Sequence, residues 1–227
     1  MSRYKWSTTS HLIVLFSIAV GFAWSTPQDQ QQTPSTAEAK AYQAAHTERD
    51  AQSKIKSLDD FVSTYPMSVL MPYVYGDYYP AFYQLKNYPQ TIEYADKLLA
   101  LGDKIDVGTS LQALGFRARA YCIASGNIGL QALEAHTKAR DAAAEGLQML
   151  DRWLRPQNMT DEQFAAQRKN LGNLFSSVAE IAESHSKGNK PAAARCAPDP
   201  APPSDAGKID RIMNQISAEE RESPRVR

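Results

Sequence analysis

Residues 58–102 constrain the fold of this 227-residue chain more than any other stretch. They begin with the end of a segment whose apolar residues recur with helical period, and this segment is followed by the dipeptide step Tyr65-Pro66. Two further helical segments come next, joined by the short turn Lys86-Asn87-Tyr88. A helix should end at the step, because proline disfavours helical geometry in the residue before it. Pro89 suits the first turn of the next helix, and Gly102 suits its C-terminal cap. The stretch therefore predicts a complete antiparallel helical hairpin.

Helix-start patterns recur along the chain. Ser35 with Glu38, and Thr160 with Gln163, have the spacing of a capping box, in which each side chain accepts from the other residue's backbone N–H. These pairs predict helices from about residue 36 and from about residue 161. Asp50 is placed to cap a third helix over residues 51–64.

The other helical segments have weaker boundaries. Ser68 is expected to cap a helix that runs to about residue 85, and Pro80 should kink or split that helix. Thr109 or Ser110 is expected to cap a helix over residues 111–125, and another should cover residues 130–154. No segment is typical of a β-strand, so the predicted fold class is all-α.

Residues 72–105 resemble a tetratricopeptide repeat, a pair of antiparallel helices about 34 residues long. Large residues fill the family's positions on the first helix, and mostly aliphatic ones pack the second: Tyr75, Tyr78 and Phe82, then Ile92, Ala95, Leu98 and Leu99. Tyr79 departs from the pattern, since the family prefers a small residue there. Thr91 and Leu98 stand where the family prefers alanine.

A second unit fits residues 111–150 with about nine residues more than the family spacing, and a partial third unit includes residues 171–182. The element Phe61-x-x-x-Tyr65-Pro66-x-Ser68 is similar to the join between repeats in bacterial envelope proteins of this superfamily. The resemblance covers residues 40–190. It implies a short right-handed superhelix of helical hairpins, which holds a peptide or protein partner in its concave groove.

The two ends of the chain differ in composition from the helical region. A basic start and a 13-residue apolar run over residues 12–24 predict a secretory signal over residues 1–25, because the run is short for a membrane-spanning helix. The alternative is an uncleaved segment that anchors the chain to the membrane. A polar linker over residues 26–36 would follow, then the helical domain over residues 37–195. Residues 196–227 form a proline-rich tail with an amphipathic stretch over residues 208–220.

Charge and cysteine content exclude some classes of protein. The formal net charge is +0, and loss of Arg3 and Lys5 with the signal would leave about −2. A chain with this charge lacks the excess of basic residues with which proteins bind nucleic acid. The chain has two cysteines, Cys122 and Cys196. Their pairing is left open, although two unpaired residues are slightly favoured over a bridge.

The resemblance also identifies candidate contact residues. Nine aromatic residues lie between Tyr65 and Tyr94. In the register of the family, Tyr73 and Tyr83 point to the concave surface with Gln84 beside them, and Arg119 takes the corresponding place in the second unit. For most of the other tyrosines, packing between helices is the favoured interpretation.

No catalytic or metal-binding motif is evident. The histidines lie on different segments without metal-ligand spacing, and no cofactor motif occurs. The leading hypothesis is therefore a non-catalytic scaffold of the bacterial cell envelope, periplasmic or secreted, that binds a protein or peptide. The alternatives are a structural subunit of a permanent homo-oligomer and, less favoured, a helical enzyme assembled from scattered residues.

Overall fold

The part of the chain that the structure describes, residues 33–124, 130–186 and Cys196 of a computed structural model, is helical. Only the backbone is described for residues 130–132, 185 and 186. The expected signal, most of the linker and the tail after Cys196 lie outside the described residues. Within those residues there is no β-strand, so the all-α prediction is confirmed.

Seven α-helices follow one another in the described residues. Their bounds are α1 Thr36–Thr47, α2 Ala51–Thr64, α3 Met71–Gln84, α4 Tyr88–Leu99, α5 Val107–Ala124, α6 Leu130–Arg152 and α7 Asp161–Ser186. A 3-10 turn, Gly102–Lys104, stands between α4 and α5. None of these described helices is both long and apolar enough to cross a membrane.

Three predicted helix starts are confirmed. The Ser35 hydroxyl accepts from the backbone N–H of Glu38, and the Glu38 carboxylate accepts from the backbone N–H of Ser35. Thr160 and Gln163 make the same reciprocal pair at distances of 3.0 and 3.2 Å. The Asp50 carboxylate accepts from the backbone N–H of Ser53 at 2.8 Å and begins α2.

Two predicted helix starts are wrong. Ser68 does not cap α3; its hydroxyl accepts from the backbone N–H of Leu70 at 2.9 Å, inside the turn that precedes the helix. The carboxylate of Asp106, and not Thr109 or Ser110, caps α5 by accepting from the backbone N–H of Thr109 at 3.0 Å. Ser68 therefore bonds a backbone group of the turn and not of the helix. At α5 a different polar side chain, that of Asp106, makes the cap.

Pro80 does not split α3, which runs unbroken through it. Proline removes the hydrogen bond that the carbonyl four residues earlier, that of Gly76, would accept. Gly76 lies on a half-exposed face, where an added Cβ would meet no atom within 4 Å. The helix therefore continues through Pro80 along a side that is only half buried.

The order of helix contacts describes the packing. Each helix from α1 to α6 packs on the next helix along the chain. The odd-numbered helices also contact each other in sequence, α1 with α3, α3 with α5 and α5 with α7. In the described part of the chain any contact between two even-numbered helices is weaker than these. The odd-numbered helices therefore share one side of the packed helices.

Three apolar clusters fill the spaces between these helices. The first joins α1, α2 and α3 through Tyr42, Leu58, Phe61, Val74 and Tyr78. The second joins α3, α4 and α5 through Tyr79, Ala95, Leu98, Ala113 and Phe116. The third joins α5, α6 and α7 and includes Leu114, Ala143, Trp153 and Phe175.

Cys122 and Cys196 form a disulfide, contrary to the slight preference for unpaired residues. Their Cα atoms are 6.0 Å apart, and both residues are buried in the third cluster. The two positions are 74 residues apart, so only tertiary packing brings them together. Cys196, the first residue of the predicted tail, is thereby fixed to α5.

Gly146 lies where α6 packs closely against α7. A Cβ added there would overlap Cζ of Phe175, whose side chain is fully buried on α7. Overpacking a core costs about 1–3 kcal/mol, whereas alanine gains about 1 kcal/mol in helix propensity. We expect Gly146→Ala to lower the free energy of unfolding by up to about 2 kcal/mol, measured by urea denaturation, because three ring atoms of Phe175 would overlap the added Cβ.

Gly76→Ala is the matched control for this prediction. Gly76 also lies inside a helix, but open space surrounds its added Cβ. We expect this change to leave stability unchanged or to raise it by up to about 1 kcal/mol. Two variants that shift stability by the same amount would show that Phe175 moves aside freely, and the packing argument would fail.

Candidate functional site

One side of α3 is only partly buried. Tyr73, Gly76, Pro80 and Tyr83 follow one another at spacings of three, four and three residues, which places them along one side of the helix. Tyr73 and Tyr83 are half-buried, and the neighbouring Gln84 is exposed. We call these five residues the α3 face. It contains three of the four predicted contact residues: Tyr73, Tyr83 and Gln84.

Tyr73 stands at the N-terminal end of the α3 face. Its ring centroid lies 6.5 Å from that of Tyr42 on α1, and it packs against the first apolar cluster. The ring of Tyr42 on α1 thus packs against the ring of Tyr73, while part of the Tyr73 side chain stays accessible to solvent. Tyr73 and Tyr83 are ten residues apart, so about 15 Å of helix separates the two ends of the face.

Tyr83 and Arg119 meet at the ring of Phe116. The Tyr83 ring stands edge-on to Phe116 with centroids 5.2 Å apart, and the Arg119 guanidinium carbon lies 5.8 Å from the centre of the same ring. Tyr83 also contacts Tyr88 at 5.8 Å. Arg119 is only 5 % exposed, so it lies beneath the surface that the family register assigned to it.

The other tyrosines of this region include core residues. Tyr78 and Tyr79 are each about 1 % exposed. The rings of Tyr78, Phe82 and Tyr94 are nearly parallel, and the centroids of Tyr78 and Tyr94 are 4.1 Å apart. This stack joins α3 to α4. Packing between helices is therefore the role of these rings.

The hydroxyl of Tyr78 donates to a carboxylate oxygen of Asp59 on α2 at 2.6 Å. Burial of the phenol, followed by this hydrogen bond, raises the pKa of Tyr78 far above its ordinary value of about 10. The folded state thus holds the proton more tightly than the unfolded state. This contribution to stability is complete below pH of about 10 and decreases as the pH rises above it.

We expect alkaline pH to destabilise the protein less when Tyr78 is replaced by phenylalanine. Above pH of about 10, loss of this one titration should reduce the slope of unfolding free energy against pH by up to about 1.4 kcal/mol per pH unit. Urea denaturation at several pH values measures both slopes. Between pH 7 and 9 the curves of the two proteins should run parallel, and parallel curves at higher pH as well would refute the role of Tyr78.

A buried polar cluster joins the first three helices and was not anticipated. Asp77 on α3 is only 7 % exposed. Its Oδ2 accepts a hydrogen bond from the Tyr42 hydroxyl at 2.6 Å, and the Nδ1 of His46 lies 2.9 and 3.0 Å from its two oxygens. The ammonium of Lys54 on α2 lies 3.9 Å from Oδ1. We call these four residues the Asp77 cluster.

In the Asp77 cluster, side chains from α1 and α2 hold one carboxylate of α3 in place. An ionised carboxylate only accepts hydrogen bonds, so it pairs with the tautomer of His46 that has its proton on Nδ1. Lys54 also donates to the backbone carbonyl of His46 at the end of α1. The cluster thus ties the end of α1 to α2 and α3. One pattern in the sequence points to it: Asp77 is a lone charge between Val74 and Ala81 in an otherwise apolar and aromatic run.

The predicted contact residues thus fall into two groups. Tyr83 and Arg119 are brought together, with Gln84 adjacent, whereas Tyr73 lies at the opposite end of the α3 face. Within the described residues no group of three or more histidine, cysteine or acidic side chains is arranged to hold a metal ion. Comparison of the chain with protein-family models, with curated proteins and with solved structures finds no match.

Proposed function

We propose that this protein is an exported, non-catalytic scaffold that binds a peptide or protein partner in a groove lined by its odd-numbered helices. The observation that carries the proposal is the order of helix contacts. In stacked helical hairpins, the first helix of each hairpin packs on the first helix of the next, and together they line the concave side. The contacts of α1, α3, α5 and α7 have this order, which supports a short right-handed superhelix of the tetratricopeptide kind.

The α3 face supplies the chemistry of such a groove. Half-buried tyrosines offer a large apolar surface with a polar hydroxyl, and few rotatable bonds are lost when they bind. Tyr73 and Tyr83 are held by rings behind them, those of Tyr42 and Phe116. Gln84 offers an amide for hydrogen bonds to a peptide backbone. The face therefore suits an extended peptide, and no cofactor is part of the proposal.

The disulfide supports the proposal that the protein is exported from the cytosol. Disulfides form and persist in the periplasm and outside the cell, and they are rare in the cytosol. Cys122 and Cys196 are joined across 74 residues of sequence. Together with the apolar run over residues 12–24, this favours the bacterial envelope as the place of action. The proposed partner is a protein of the same compartment.

A site-specific photocrosslinker tests the proposed groove. We expect a crosslinking residue at Gln84 to trap one envelope protein or peptide, and the same residue at exposed Lys56 on α2 to trap none. Adding Tyr83→Ala should weaken capture at Gln84 at least tenfold, since buried aromatic anchors dominate such interfaces. Equal capture at both positions, or capture that is unaffected by Tyr83, would contradict the proposal.

A second candidate, a subunit of a permanent oligomer, is favoured by one observation. Met67 is 90 % exposed and Leu154 is 84 % exposed, and each lies in the segment that leads into an odd-numbered helix. Contact with another copy would remove these apolar side chains from water. Light scattering decides between the candidates: a stable oligomer that Met67→Ser with Leu154→Ser dissociates would favour the structural subunit, whereas a monomer would exclude it.

A further inference from the structure

The disulfide brings the start of the C-terminal segment close to the α3 face. Cys122 lies six residues after Phe116 on α5, about 9 Å along the helix. The ring of Phe116 is in turn 5.2 Å from the ring of Tyr83. Because Cys196 is bonded to Cys122, the chain that follows it starts within roughly 25 Å of the Tyr83 ring.

The segment that follows, residues 197–207, has the sequence APDPAPPSDAG. Four of its eleven residues are proline, and two are aspartate with no basic residue. Such a sequence favours the extended polyproline II conformation, which advances about 3.1 Å per residue. Eleven residues then span up to about 34 Å, enough to reach Tyr83 and to continue over part of the 15 Å or so toward Tyr73.

The chemistry of the segment matches that of the face. Proline-rich segments dock on surfaces lined by aromatic rings, because polyproline II is preformed and loses little entropy on binding. Tyr73 and Tyr83 provide such rings, and the space at Gly76 between them is open. The exposed cation of Lys86 follows the face directly, where it complements the negative charge of residues 197–207.

We propose that residues 197–207 dock on the α3 face as an internal ligand, which an outside partner must displace. The inference rests on the proposed function of that face, and it adds a regulatory element to it. The disulfide keeps the segment near the face at an effective concentration of about 1 mM, as for other short tethers. A competing peptide that binds at about 0.1 mM to a free face should therefore bind about tenfold more weakly to the native chain.

The test uses the full oxidised chain and a labelled peptide of residues 197–207. In one variant Pro198, Pro200, Pro202 and Pro203 are replaced by serine. We expect the peptide to bind this variant about tenfold more tightly than the native chain, as measured by fluorescence anisotropy. Hydroxyl-radical footprinting should show increased modification of Tyr83 in the same variant. Adding Tyr83→Ala should remove peptide binding, while circular dichroism reports that the helices are retained.

A matched variant replaces Ile209, Ile212, Met213 and Ile216 by serine and should behave as the native chain does. If this variant exposes Tyr83 and the proline variant does not, the amphipathic stretch is the occupant and the proposal is wrong. Equal peptide affinity for the native chain and the proline variant, or no binding to either, would also overturn it. In that case, continued capture of a partner at Gln84 would leave the proposed function standing, so the two failures are distinguishable.

Discussion

Removing the Cys122–Cys196 disulfide should lower the free energy of unfolding by about 4.5 kcal/mol. The bond closes a loop with a sequence separation of 74 residues. In the chain-entropy description, a cross-link of this length restricts the unfolded chain by about that amount. Folded domains are stable by only about 5–15 kcal/mol, so the change is a large part of the total. Urea denaturation of the oxidised protein and of the variant Cys122→Ala with Cys196→Ala measures it.

The matched comparison is the native protein under a reducing agent. Reduction breaks the cross-link but leaves both sulfur atoms, which lie buried in the third apolar cluster. Agreement between the reduced protein and the double variant would assign the loss to the cross-link and not to the packing of two side chains. A loss below about 1 kcal/mol in both would contradict the expectation, because even short disulfide loops contribute about 3 kcal/mol.

Sequence reasoning succeeded where the determining contact is local. The capping pairs Ser35 with Glu38 and Thr160 with Gln163 span three residues each, and both form as expected. Asp50 caps α2 in the same way. The failures of this kind are also local: Asp106 caps α5 in place of Thr109 because several polar side chains compete for the same backbone groups.

The parts that sequence reasoning missed depend on distant contacts. Cys122 meets Cys196 only because the chain returns to α5 after α7. Arg119 was expected at the surface of a groove, yet it is buried beside Phe116, whose ring also contacts Tyr83. The register of a repeat specifies which side of a helix a residue occupies. It does not specify how deeply neighbouring helices bury that residue.

The Asp77 cluster shows the same dependence on distant contacts. Its hydrogen bonds join residues that are 31 and 35 positions apart. The sequence contains only an indirect indication, a single carboxylate within an apolar helix. A buried carboxylate is tolerated only with partners, so such a position indicates that donors converge on it from other helices. The identity of those donors depends on the packing of α1 and α2.

Replacing Asp77 by alanine should lower the free energy of unfolding by about 3–5 kcal/mol. Removal of one member of a buried ion pair leaves the remaining charge without its partner in a poorly hydrated place. Here Lys54 has an 18 % exposed side chain, and the Tyr42 hydroxyl is left without its acceptor at 2.6 Å. Urea denaturation measures the change. Replacing the exposed Asp60 on α2 by alanine is the control and should shift stability by no more than about 0.5 kcal/mol.

A double-mutant cycle tests whether the cluster, and not general burial, causes the loss. Tyr42→Phe alone should cost about 1.5–3 kcal/mol, the range for a hydrogen bond to a charged group. If the hydroxyl acts through Asp77, the two changes together should cost less than the sum of the two alone. Hydrogen exchange should show that Asp77→Ala opens α1 first, because this cluster ties the end of α1 to α2 and α3. Strictly additive costs with uniform exchange across all helices would mean that Asp77 does not anchor α1.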